Sequence, residues 1–71
     1  MTKRSRLQVE GTIRQVFVGD QYDVELDNAV RVNAYLSGRL RIHHIKLLLG
    51  DRVVVELSPY DLTKGRVIRR L

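Results

Sequence analysis

Apolar and polar residues alternate with a period of two through most of this chain, in short runs separated by Gly-Asp, Asp-Asn, Ser-Pro and Lys-Gly. Period two marks a half-buried strand, because successive side chains leave a pleated backbone on opposite sides. Residues 7–18 place Leu7, Val9, Gly11, Ile13 and Phe17 on one face and Gln8, Glu10, Thr12 and Arg14 on the other. A glycine inside a strand marks a bulge or sharp bend, and Gly11 is read that way. After the turn signal Gly19-Asp20, Tyr22, Val24 and Leu26 alternate with Asp23 and Glu25. Asp27-Asn28 then makes a tight hairpin connection, with asparagine able to take positive φ. A third strand carries Val30, Val32, Ala34 and Leu36 inward and Arg31, Asn33 and Tyr35 outward. A fourth carries Val53, Val55 and Leu57 inward and Arg52, Val54 and Glu56 outward. A fifth spans residues 65–70, where Val67 and Ile68 are adjacent and cannot both face inward, so its facing stays open.

Between strands three and four the period lengthens. Ser37 suits a helix N-cap, and Leu40, His43 or His44, and Leu47 or Leu48 recur at three-to-four spacing, which predicts a short helix over residues 39–44. Ser58-Pro59-Tyr60-Asp61 reads as a type I turn with proline at its second position. The order is three strands, a helix and two strands. The 71 residues form one domain, 1–71, with a basic tail over about residues 1–6 expected to be flexible. A chain this short buries only roughly 60% of its unfolded surface. One open sheet would leave a face bare, so the five strands are expected to close into an all-β oligonucleotide-binding (OB) barrel with the helix plugging one end. An open five-stranded barrel of another topology is the alternative.

Composition narrows the function. There is no cysteine, which removes disulfides and thiolate metal sites and fits a reducing, cytoplasmic setting. Apolar runs such as Leu47–Leu49 and Val53–Val55 stop at three residues, far short of the roughly 20 that span a membrane. The N-terminal Lys3, Arg4 and Arg6 lead into polar residues, unlike a secretory signal. Thirteen basic residues face eight acidic ones, net +5, and arginines outnumber lysines ten to three. Residues 1–36 are balanced, five against five, whereas residues 37–71 carry eight basic side chains against three acidic. The whole excess lies in the second half. An arginine-rich excess suits phosphate and base contacts, although a generic solubilising surface would serve each arginine singly.

Nothing points to catalysis. The acids are scattered, Ser37 and Ser58 sit at cap and turn positions, and no glycine-rich phosphate loop occurs. His43 and His44 are adjacent, so on a helix they point about 100° apart, and further metal ligands at suitable spacing are missing. No metal and no cofactor are expected. The basic residues are the stronger candidates. Arg39, Arg41 and Lys46 flank the helix, and Lys64, Arg66, Arg69 and Arg70 line the last strand. In a barrel these segments approach each other and form one patch, with Tyr35 and Tyr60 nearby, suited to RNA. Tyr60 could close the barrel or face RNA, and packing is expected to dominate because turn aromatics lean back onto the fold. The scarcity of aromatics, four in all, favours recognition of shape and backbone over base sequence.

Three stretches carry a family resemblance: Ser37-Gly38-Arg39-Leu40-Arg41, Gly50 to Leu57 (Gly-Asp-Arg-Val-Val-Val-Glu-Leu) and Pro59 to Arg66 (Pro-Tyr-Asp-Leu-Thr-Lys-Gly-Arg), with Gly11-Thr12 and Val24-Glu25-Leu26 in agreement. Together they resemble bacterial translation initiation factor one over about residues 7–70. The resemblance implies an OB barrel, not an enzyme, that binds the small ribosomal subunit in the decoding region. There it would contact ribosomal RNA and a neighbouring ribosomal protein, block premature tRNA binding, and support initiation factors two and three. It also implies a cytoplasmic monomer. The family's RNA-facing positions fall on Arg39, Arg41, Lys46, Lys64, Arg66 and Arg70, and its turn tyrosine on Tyr60. The chain departs from the family pattern at Val18-Gly19, at Asn28-Ala29, and at His44, Lys46 and Arg69, as in a divergent lineage or a second copy. The rival readings are a general single-stranded RNA-binding or RNA-chaperone OB domain, and a protein-interaction barrel whose charge only solubilises it.

Overall fold

The structure is a computed structural model that describes residues 7–71; the basic tail expected over residues 1–6 lies outside the described residues. Five strands and one helix follow in the expected order: β1 (Gln8–Phe17), β2 (Gln21–Leu26), β3 (Arg31–Leu36), α1 (Gly38–Ile42), β4 (Arg52–Leu57) and β5 (Lys64–Arg70). The strands close into a barrel in the order β1-β2-β3-β5-β4, with β4 returning to β1, and β3–β5 is the parallel pair. This is the OB fold, and closure pairs every strand on both sides. Ile13, Val24, Val32, Val53, Val55 and Val67 fill the interior almost without solvent contact. Among the described residues, no helix is long and apolar enough to cross a membrane.

The alternation holds along β2 and β3 and fails at strand ends and at one position in β4. Tyr22, Val24 and Leu26 are buried as expected, as are Val32, Ala34 and Leu36. Leu7, Phe17 and Val30, expected inward, are exposed, because each lies at or beyond the end of a ladder. Val54 points outward in the alternation yet is buried, seated between its cross-strand neighbours Glu10 and Arg69. The bulge in β1 falls between Ile13 and Gln15, not at Gly11. Gly11 instead sits where β1 pairs with both Leu26 and Val53, and a Cβ there would lie 2.7 Å from Val24 Cγ1 and 2.8 Å from the Glu25 carbonyl oxygen. In the β2–β3 turn the positive φ belongs to Ala29 (72°), while Asn28 uses its side-chain oxygen to accept from the Val30 N–H.

A second bulge settles the facing of β5. Val55 pairs with Val67 but Val54 pairs with Arg69, so Ile68 is the extra residue. Val67 enters the core, Ile68 is half-buried, and Arg69 returns to the outer side opposite Val54. A bulge resets the pleat in this way wherever two residues oppose one.

The helix is shorter than the 39–44 expected, and its ends explain why. Ser37 caps it, its Oγ accepting from the Leu40 N–H at 3.4 Å. At the other end His43 is the C-cap and His44 takes a left-handed φ of 55°. The Ile45 N–H then donates to the Leu40 carbonyl and the His44 N–H to the Arg41 carbonyl. That pair of bonds is the Schellman ending, which satisfies the last helical carbonyls and stops the helix. The two histidines are therefore helix-terminating residues. Leu40 and Leu47 turn into the core beneath the helix and close that end of the barrel.

Candidate nucleic-acid interface

Ion pairing first removes the balanced half of the molecule from consideration. Arg14 pairs with Glu25 at 2.8 Å, and Arg31 pairs with Asp23. Arg52, counted with the basic half of the sequence, is drawn into the acidic half. Its guanidinium makes two bonds to the Asp27 carboxylate at 2.8 and 3.0 Å, and reaches Glu10 at 3.2 Å and the Thr12 hydroxyl at 3.0 Å. These bonds hold the Asp27 carboxyl below the usual carboxylate range. Arg52 thus ties the β2–β3 turn to β1 and β4.

What remains is cationic. Among the described residues, no acid lies within salt-bridge distance of Arg39, Lys46, Lys64, Arg69 or Arg70, whereas Arg66 pairs with Glu56 and Arg41 with Asp20 at 3.7 Å. The seven cations form a belt along the α1/β5 side, each sharing a groove or a contact with the next. A groove of about 550 Å³ runs between the start of α1 and the outer face of β5, lined by Arg39, Arg66 and Arg69 with Ile68, Gly38 and Gln8. Arg66 is also the wall of a second, smaller pocket of about 250 Å³ between Tyr35, Tyr60 and Lys64. Arg70 adjoins Arg39 and Arg69 on the far side, and its Nη1 donates to the Lys46 carbonyl at 3.3 Å. Arg41 and Lys46 lie farthest round, beside His44 and the β1–β2 turn.

The loop after β4 displays an aromatic ring. Backbone bends fall at Pro59 and Tyr60, and the hydrogen-bonded turn is Asp61–Lys64, later than the turn expected at Ser58–Asp61. The Asp61 carboxylate accepts from both the Thr63 N–H and its hydroxyl, which lowers the Asp61 pKa, and the Ser58 N–H donates to the Lys64 carbonyl. This frame leaves Tyr60 85% exposed. The packing role expected for Tyr60 is therefore wrong, and the ring is free for a ligand. Tyr35 is also on the outside, directly opposite Arg66 across the β3–β5 ladder.

The arrangement offers cations and exposed rings to a ligand. Ser37, the one buried polar residue among those described, is engaged in capping α1, and no buried polar side-chain atom among them lacks a partner. No cluster of three or more potential metal ligands occurs among the described residues. A groove walled by three arginines, next to a pocket that carries two exposed tyrosines, matches single-stranded or distorted RNA, where phosphates meet arginine and unpaired bases meet aromatic faces. Arg69, counted in the basic patch from the sequence but not among the family's RNA-facing positions, belongs to the groove, and the Ile68 bulge sets its facing.

Comparison with known proteins agrees with this geometry. The family described as Translation initiation factor 1A / IF-1 matches residues 1–71. The chain is 43% identical over 70 residues to a protein of Mesomycoplasma hyopneumoniae (strain 7448) named Translation initiation factor IF-1, covering 99% of this chain and 93% of that protein. It is 51% identical over 67 residues to one of Bordetella avium named Translation initiation factor IF-1 2, covering 94% and 76%. The solution structure of the corresponding translation initiation factor from the Wolbachia endosymbiont of Brugia malayi superposes with a TM-score of 0.76 at 40% identity, covering 92% of this chain and 77% of that one.

Proposed function

The chain belongs to the translation initiation factor 1A / IF-1 family, and from that premise we propose that it binds the small ribosomal subunit in the decoding region and keeps tRNA out of it until initiation is complete. The observation that carries this reading is the belt of cations without an acidic partner among the described residues, Arg39, Lys46, Lys64, Arg69 and Arg70, on a barrel whose other described arginines are matched by acids. Arginine and lysine fix such a domain on ribosomal RNA phosphates. The Tyr60 loop and the groove beside α1 then trap loosely held bases, and the bulk of the barrel occupies the space that tRNA would fill. A neighbouring ribosomal protein completes the seat. Support of initiation factors two and three follows as linkage: factors that favour the same subunit conformation raise one another's affinity. In this reading the protein acts as a cytoplasmic monomer and without chemistry of its own.

The test is competition. Purified protein should co-sediment with bacterial small subunits, and saturating protein should reduce binding of tRNA to the decoding site while leaving initiator tRNA binding intact. Equal binding to free single-stranded oligoribonucleotides, with no effect on tRNA, would instead identify a general RNA-binding barrel.

A further inference from the structure

An acidic side chain stands inside the cationic belt. Glu56 and Arg66 face each other across the β4–β5 ladder, and Tyr35 faces Arg66 across the β3–β5 ladder. The outer surface thus carries Glu56, Arg66 and Tyr35 in a row over three strands. Arg66 Nε donates to Glu56 Oε1 at 2.8 Å, and Nη2 lies 2.7 Å from the same oxygen. The Glu56 side chain is only 13% exposed and that of Arg66 40%. All three residues line the small pocket beside Tyr60.

Long-range electrostatics alone would make Glu56 a liability, since a negative charge repels incoming phosphates. The local geometry supports the opposite effect. A guanidinium carries its N–H donors in one rigid plane. Glu56 takes up the Nε edge and leaves the Nη1 donors for a ligand. An untethered arginine on a strand surface would have to be ordered when RNA binds, at a cost in affinity. We propose that Glu56 is a positioning residue: it holds the Arg66 guanidinium in its RNA-binding orientation, so that a carboxylate on the binding face raises affinity for a polyanion. The proposal rests on the reading that Arg66 touches RNA.

The experiment is a titration of bacterial small ribosomal subunits at fixed salt with the full chain and four variants: Glu56→Gln, Glu56→Ala, Arg66→Ala and the double Glu56→Ala/Arg66→Ala. Glu56→Ala should weaken binding about threefold to tenfold, the scale of ordering one rotamer-rich side chain, although net positive charge rises by one. Glu56→Gln keeps an accepting oxygen and should stay within about twofold of the parent. With Arg66 already replaced, Glu56→Ala should cause no further loss, whereas a merely structural effect of losing Glu56 would persist there. Tighter or unchanged binding by Glu56→Ala, alongside weakened binding by Arg66→Ala, overturns the proposal and leaves the interface standing. Parental binding by Arg66→Ala removes Arg66 from the interface and overturns the proposal with it.

Discussion

Gly65 begins the inward face of β5, one residue before Arg66, and its α-carbon is pressed against β4. A Cβ there would lie 2.7 Å from the Glu56 carbonyl oxygen, 2.8 Å from Val55 Cγ1 and 3.3 Å from the Leu57 Cα. Two of these three neighbours are backbone, which cannot rotate aside, so Gly65→Ala must push β4 and β5 apart. Overpacking a tight core costs about 1–3 kcal/mol, and a backbone clash belongs at the upper end, about 2–3 kcal/mol. In a domain of this size each kcal/mol moves Tm by roughly 4–8 °C, which gives a fall on the order of 10–20 °C. Gly38 is the matched control. It opens α1, has no positive φ, and a Cβ there meets nothing within 4 Å. Gly38→Ala should be neutral or stabilising by up to about 0.5–1 kcal/mol, since alanine restricts the unfolded chain and favours helix. Thermal and urea melts of both variants read the difference directly. A Gly65→Ala protein as stable as its parent, or one no worse than Gly38→Ala, would refute the close β4–β5 approach and with it the placement of Arg66.

Two further outcomes follow from exposure and charge. Tyr60→Ala should leave Tm within about 2 °C of the parent, because the ring is 85% exposed, and should weaken subunit binding by about 1–3 kcal/mol, the worth of one stacked base. A lower Tm with intact binding would return Tyr60 to the fold. Asp27 and Asp61 have carboxyls held below their ordinary pKa, by Arg52 and by Thr63 respectively, so their stabilisation is present above the unfolded carboxylate pKa and lost as pH falls through the lower folded value. Tm should therefore decline as pH drops below about 4, the unperturbed aspartate value. Asp27→Asn should be less stable at pH 7 and decline less steeply on acidification; a parental Tm at pH 7 would show that the Arg52–Asp27 bonds contribute nothing.

The barrel was legible because alternation reports burial along strands paired on both sides, as for Tyr22 to Leu26 and Val32 to Leu36, although Val54 in β4 is buried against it. It was misleading at Leu7, Phe17 and Val30, where the ladder ends and pattern outlives pairing. The cations of the site were legible as a charge asymmetry, but their arrangement was not. Arg52 sits in the basic half of the sequence and is consumed by Asp27 and Glu10, residues far away in the chain. Arg69 depends on the Ile68 bulge: the adjacent Val67 and Ile68 left the facing open, and only tertiary pairing with β4 settles it. The short helix was placed by Ser37, yet its end was missed because a histidine, not a glycine, adopts the left-handed capping position. Tyr60 was misjudged for a related reason: Asp61, Thr63 and Ser58 stiffen the loop by themselves, so the ring is not needed to close it.

The central claim is that the cations on the α1/β5 side that lack an acidic partner among the described residues seat the protein on RNA, and the salt dependence of subunit binding tests it most directly. Each phosphate contact contributes a slope of about 0.7–0.9 in log affinity against log salt, so the parent should show a slope of roughly −3 to −5. Arg39→Ala should reduce its magnitude by about one, while Arg52→Ala, whose guanidinium is bound to Asp27 and Glu10, should leave it unchanged. A flat salt response, or equal loss of slope in the two variants, would contradict the account.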